Sequence, residues 1–170
     1  MNTTIKILLC TIRFVFLLLC ACCLVYADEL LFESGQGFYT SGDSRIAFLR
    51  YKLDTAPLFG FDSYYDLAVA TWSGENHNDA IVVSRGERWH TTEKTYIDFE
   101  IGGAYVERTT DNLGTRLQFA LRGAFGLKAG AFDFAVGYNH FSNGREIFQW
   151  NTSTPNNGEN FITVRVGYMF

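Results

Sequence analysis

Beyond Cys23 the chain has no cysteine; all four (Cys10, Cys20, Cys22 and Cys23) fall within the first 27 residues. Whatever folds after that point has no disulfide to staple it, so backbone pairing and packing must hold it alone. Proline is nearly missing, with two in 170 residues. No stretch after residue 27 carries the 3.6-residue apolar period of a helix. Basic charge is in deficit, 14 Lys and Arg against 18 Asp and Glu, which argues against nucleic acid as a partner. No glycine-rich phosphate loop or dinucleotide fingerprint occurs. His77 and His90 have no spacing that suggests a metal site.

What is present begins with a leader. Lys6 and Arg13 give a positive start, Phe14–Val25 is an apolar run, and Val25-Tyr26-Ala27 forms a small-residue cleavage site before Asp28-Glu29. This predicts a cleaved signal peptide over residues 1–27 and one domain over residues 28–170. An uncleaved anchor is the alternative, but the run is short for a hydrocarbon core of ~30 Å. Leu19-Cys20-Ala21-Cys22 is a loose lipobox and leaves a lipoprotein signal as a third option. Removing Lys6 and Arg13 with the leader takes the formal charge from −4 to −6, since no acidic residue precedes Asp28.

The remaining composition suits a β protein: 16% aromatic residues, with glycine plentiful for tight turns. Apolar residues recur with period two in pieces of about ten residues. In "NFITVRVGYMF", Ile162, Val164, Val166, Tyr168 and Phe170 share one face, opposite Thr163, Arg165 and Gly167. "TRLQFALRGAFGLK" sets Leu117, Phe119, Leu121, Phe125 and Leu127 against Arg116, Gln118, Arg122 and Lys128. "YIDFEIGGAYV" sets Ile97, Phe99, Ile101 and Tyr105 against Asp98 and Glu100. With Leu31–Tyr39, Arg45–Leu53, Ser63–Ser73, Asp79–His90 and Ala131–Asn143 the pieces number eight.

Their second face mixes acids, arginines and glycines, which fits a narrow polar barrel interior with the apolar faces toward lipid. The predicted fold is therefore all-β, an eight-stranded antiparallel transmembrane barrel of the outer-membrane type. The aromatic last residue is how such barrels end. A soluble calyx with its apolar face inward is the alternative that alternation leaves open. With both termini periplasmic, the connections Thr40–Ser44, Gly74–Asn78, Glu107–Gly114 and Gly144–Gly158 point outward. Asp54–Gly60, Thr91–Lys94 and Ala129–Gly130 are then the periplasmic turns.

One strand breaks its own stripe. In "VGYNHFSNG" the apolar face of Phe132, Phe134, Val136 and Tyr138 continues into His140 and Ser142. Residues i and i+2 on a strand share a face with Cα atoms ~6.5–7 Å apart. That spacing lets a histidine take the proton of a serine nucleophile. It also suits a stripe that merely ends at the membrane–water boundary.

The surrounding residues resemble the lipid A 3-O-deacylase (PagL) family of outer-membrane ester hydrolases. "GYNHFSNG", followed by a loop with "PNNG" and a short last strand, carries the specific part. "YDLAVATWSG" is similar to the family's third strand, and "YIDFEIGGAYVERTTDNLGTRLQFALRGAFGLKAG" to its fifth and sixth. The resemblance implies an esterase on the lipid-facing wall near the outer-leaflet headgroups, with Ser142 as nucleophile and His140 as general base. It places Asn143 and the Asn143-Gly144 turn at the oxyanion, and matches Asn156 to a loop asparagine of the family.

The implied substrate is lipid A of lipopolysaccharide, which loses a 3-O-linked 3-hydroxyacyl chain without cofactor or metal. The implied location is the bacterial outer membrane, reached with the barrel assembly machinery; whether the barrel forms a homodimer is left open. The family's third catalytic residue is a glutamate on the lipid-facing phase of the last strand. Here Asn160 holds that phase and Glu159 lies one residue off it. Either a bulge brings Glu159 round or Asn160 orients the imidazole as a neutral partner; Glu146 is a more distant candidate. A non-catalytic barrel and an esterase for another membrane lipid are the competing readings.

Overall fold

The computed structural model describes residues 28–74, 76–145 and 154–170. The predicted leader and Glu146 lie outside the described residues. Eight antiparallel strands follow in order: β1 (Glu29–Gly37), β2 (Arg45–Leu58), β3 (Phe61–Ser73), β4 (Asn78–His90), β5 (Thr95–Val106), β6 (Leu117–Ala129), β7 (Phe132–Ser142) and β8 (Glu159–Met169). Each pairs with its sequence neighbour, and β1 pairs with β8, so the sheet closes on itself and leaves no edge.

Alternation decides which face is which. The outer wall carries Phe32, Leu49, Ile81, Val83, Phe99, Ile101, Phe125, Val136, Val164 and Val166, all more than a third exposed. So continuous an apolar surface is foreign to water and matches a lipid-facing band. The calyx alternative, with its apolar face inward, is thereby overturned.

Toward the end that bears the termini, the interior is a charged lattice. Asp98 meets Lys52 at 2.8 Å, Arg88 at 2.7 Å and Arg165 at 3.5 Å. Arg122 bridges Glu33 at 3.1 Å and Glu100 at 2.9 Å, and Arg50 pairs with Asp66. Tyr64 and Tyr96 lie across Gly86 and Gly126, where a Cβ would fall inside the rings, and carry Lys52 and Arg88 on their faces. Buried ions need such partners on every side, because desolvation otherwise outweighs their attraction.

Two features depart from the sequence expectation. The polar interior does not run the full length: toward the opposite end it gives way to an apolar plug that includes Ile46, Phe48, Trp72, Val106, Phe141 and Phe161. There both faces of a strand are apolar, so alternation no longer reports which one is inside. The second departure is the loop expected over Asp54–Gly60. Both strands continue, to Leu58 and from Phe61, and the register shift between Thr55 and Leu58 absorbs Pro57. The turn is only Phe59-Gly60, both with positive φ (53° and 83°), as a two-residue hairpin demands.

Candidate active site

The site grows out of the seam between β7 and β8. Their register sets His140 opposite Asn160 and Phe141 opposite Glu159, while β6 sets Leu121 against His140 and Phe119 against Ser142. Tyr138, His140 and Ser142 therefore point outward, and Asn139 and Phe141 point in. The inward pair is well anchored. Phe141 stacks on Trp72 with centroids 5.6 Å apart, and Asn139 Nδ2 donates to Glu33 Oε1 at 2.7 Å. Backbone held from inside fixes the direction of the outward side chains.

His140 Nδ1 lies 2.9 Å from Asn160 Oδ1. The same oxygen accepts the Tyr138 hydroxyl at 2.6 Å, and Asn160 Nδ2 donates to Thr40 Oγ1 at 2.6 Å. Thr40 Oγ1 in turn donates to the Gly158 carbonyl at 2.7 Å. Asn160 is thus only 7% exposed although it sits on the outward phase of β8. The Tyr138 ring runs nearly parallel to the imidazole, at 17° and 6.4 Å, and Phe38 packs edge-on against it. Gly158 closes the other side: at φ +74° it lies so near that a Cβ would stand 2.8 Å from His140 Cε1.

Glu159 is turned the other way. It is 0% exposed, faces the interior, and accepts from Ser41 Oγ and, at 3.1 Å, from Asn112 Nδ2. The β7–β8 register is unbroken there, so no bulge rotates Glu159 toward the imidazole. Ser41 Oγ also takes the Asn160 backbone N–H at 2.6 Å. Glu159 and Ser41 together clamp the short 3-10 turn Tyr39–Ser41 onto the start of β8, and this carries Thr40 to Asn160.

With Nδ1 engaged by Asn160, Nε2 is the ring nitrogen left for Ser142. Among the described residues Ser142 Oγ and the imidazole form no hydrogen bond; catalytic contacts of this kind often close only around substrate. The Asn143 N–H donates to Asn156 Oδ1 at 2.7 Å, and Asn143 Nδ2 donates to the Pro155 carbonyl at 3.1 Å. Gly144, at φ +72°, has a backbone N–H with no acceptor among the described residues. Thr40, Tyr138 and Gly158 did not stand out in the sequence. Only Tyr138 left a signal there, two residues before His140 on the same face.

Such a wall, apolar around its girth and closed without an edge, belongs to an outer-membrane β-barrel, here with a histidine, a serine and a carboxamide grouped on its outside. The family model described as lipid A 3-O-deacylase (PagL) matches residues 45–169, and the chain belongs to that family. Two solved structures share the fold. The crystal structure of the outer membrane enzyme PagL is 19% identical, with a TM-score of 0.62 over 84% of this chain and 99% of that one. The backbone structure of the Yersinia pestis outer membrane protein Ail in a phospholipid bilayer nanodisc is 10% identical, with a TM-score of 0.51 over the same shares. No curated protein matches the sequence. The protein is accordingly a bacterial outer-membrane barrel.

Proposed function

We propose that this barrel is a serine esterase that removes the 3-O-linked 3-hydroxyacyl chain from lipid A. The observation that carries the reading is the hydrogen bond from His140 to Asn160 on the lipid-facing wall, two residues from Ser142, in a chain of this family. His140 donates its Nδ1 proton to Asn160 Oδ1, which leaves the Nε2 lone pair to take the Ser142 proton. Ser142 Oγ then attacks the ester carbonyl, and the Gly144 N–H, two residues along the chain, serves as a donor for the tetrahedral oxyanion. Collapse breaks the carbon–oxygen bond to the sugar, and the departing oxygen takes the proton from Nε2. Water, deprotonated by the same nitrogen, releases the 3-hydroxy acid and regenerates Ser142. Asn143 is a second oxyanion group once substrate draws it from Asn156 or Pro155. A correctly placed donor of this kind contributes ~10²–10³ in rate.

The site lies at the end of the barrel opposite the termini. With the termini periplasmic, it opens to the outer leaflet, where lipid A resides. Residues 1–27 serve as the export signal, and the barrel assembly machinery inserts the domain. The test is mass spectrometry of lipid A from an outer-membrane host that expresses the chain. The expected result is loss of one 3-hydroxyacyl mass, absent with Ser142→Ala and with His140→Ala. Unmodified lipid A around a correctly folded barrel would refute the assignment and leave a non-catalytic barrel or another lipid substrate.

A further inference from the structure

We propose that Thr40 is a positioning residue that sets the tautomer of His140 by fixing which way round the Asn160 amide sits. The inference rests on the reading of Ser142 and His140 as nucleophile and base. A carboxylate beside a catalytic histidine can only accept, so it dictates Nδ1–H whichever oxygen it presents. A carboxamide has no such built-in sense. Turned about, Asn160 would offer N–H to Nδ1, force the proton onto Nε2 and leave His140 unable to take a proton from Ser142. In serine enzymes an acid-to-amide change at this position costs about 10⁴ in rate through that wrong tautomer.

The surroundings of Asn160 resolve the ambiguity from one end. The Gly158 carbonyl is an acceptor and nothing else, so it fixes the Thr40 hydroxyl as its donor at 2.7 Å. The lone pairs of Thr40 Oγ1 are then turned to Asn160 and call for an N–H, supplied by Nδ2 at 2.6 Å. Oδ1 must consequently face His140, 2.9 Å from Nδ1. Tyr138 adds a donor to that oxygen at 2.6 Å and favours the same orientation, but a phenol can also accept, so it does not dictate that orientation by itself. The directional sense of the relay thus originates at a backbone carbonyl and reaches the imidazole through Thr40. Glu159 contributes at one remove, through the Ser41 clamp that holds the Tyr39–Ser41 turn in place.

The test uses the folded full-length barrel in two measurements. ¹⁵N NMR of the three histidines, with His140 identified by its loss in His140→Gln, reports the protonated ring nitrogen without reference to activity. The wild type is expected as the Nδ1–H tautomer. Thr40→Val, nearly isosteric but without the hydroxyl, is expected to move His140 toward Nε2–H. It should lower kcat about three- to tenfold, the weight of one hydrogen bond, with little change in KM. Thr40→Ser is expected to restore both readouts. In an Asn160→Asp background the loss from Thr40→Val should shrink below about twofold, because a carboxylate needs no orienting.

An Nε2–H tautomer in the wild type would overturn the proposal. So would an equal loss from Thr40→Val in both backgrounds, which would mark Thr40 as merely structural. An Nδ1–H tautomer that Thr40→Val inverts, in a barrel that leaves lipid A intact, would uphold the relay and refute the esterase reading instead.

Discussion

Gly158 is the position where adding one carbon should do most harm to catalysis and little to the barrel. Built on the present backbone, an alanine Cβ would stand 2.8 Å from His140 Cε1 and 3.1 Å from the Phe141 carbonyl oxygen. Carbon atoms in contact prefer ~3.5–4.0 Å, so the imidazole would have to recede by roughly 0.7–1.2 Å. The 2.9 Å contact of its Nδ1 with Asn160 would stretch with it. The φ of +74° adds a backbone cost of about 1–2 kcal/mol for any residue with a Cβ. A barrel paired on all eight seams absorbs that cost, whereas a reacting group misplaced by ~1 Å loses about 10²-fold in rate. Gly158→Ala is therefore expected to refold, as judged by its gel mobility with and without heating, and to deacylate lipid A about a hundredfold more slowly. A folded variant within threefold of the wild type would show that the position of the imidazole does not limit the reaction.

Asn160→Asp should raise kcat about tenfold or more. A full negative charge 2.9 Å from the imidazole stabilises the imidazolium formed during proton transfer, where the amide offers only a dipole; deacylation rates on purified lipid A check this, and an unchanged or lower kcat would count against it. The same variant should unfold at lower denaturant concentration, since it buries a charge at a site 7% exposed. Asp98→Ala is expected to touch stability alone. It strips Lys52, Arg88 and Arg165 of a shared partner and should cost about 3–5 kcal/mol in urea unfolding, while the barrels that do fold keep their rate.

The sequence disclosed the fold where alternation was sharpest and hid it where both faces turned apolar. β5, β6 and β8 alternate large outward residues with charged or small inward ones, and their phase is as expected within the strands. Arg116, expected on the inward face, instead precedes β6, is exposed and donates to the outward Tyr105 hydroxyl at 3.2 Å. Around Ile46, Phe48 and Trp72 the inner residues are as apolar as the outer ones, so the plug left no trace in the pattern. Ala56-Pro57 signalled a loop, yet a bulge accommodates the proline, and Phe59 takes the left-handed turn position that sequence associates with asparagine or glycine. The site was legible in proportion to its locality. His140 and Ser142 share one strand, and counting phase back from Phe170 placed Asn160 beside the wall and Glu159 inside it. Thr40 lies 120 residues from Asn160 in the chain, and only closure of β1 onto β8 brings the two together.

On β7 and β8 even-numbered residues such as Tyr138, His140, Asn160 and Ile162 look outward, while Asn139, Phe141, Glu159 and Arg165 look inward. The two sets answer to different demands. The inner set must balance charge and volume among itself, and a change there threatens the whole cylinder. The outer set faces a fluid solvent that tolerates most apolar shapes, so a single exchange there alters chemistry and leaves the scaffold standing. Asn160, which meets His140 at 2.9 Å, belongs to that outer set. A cylinder organised in this way can gain, tune or lose a reaction on its skin over generations while its skeleton is inherited unchanged.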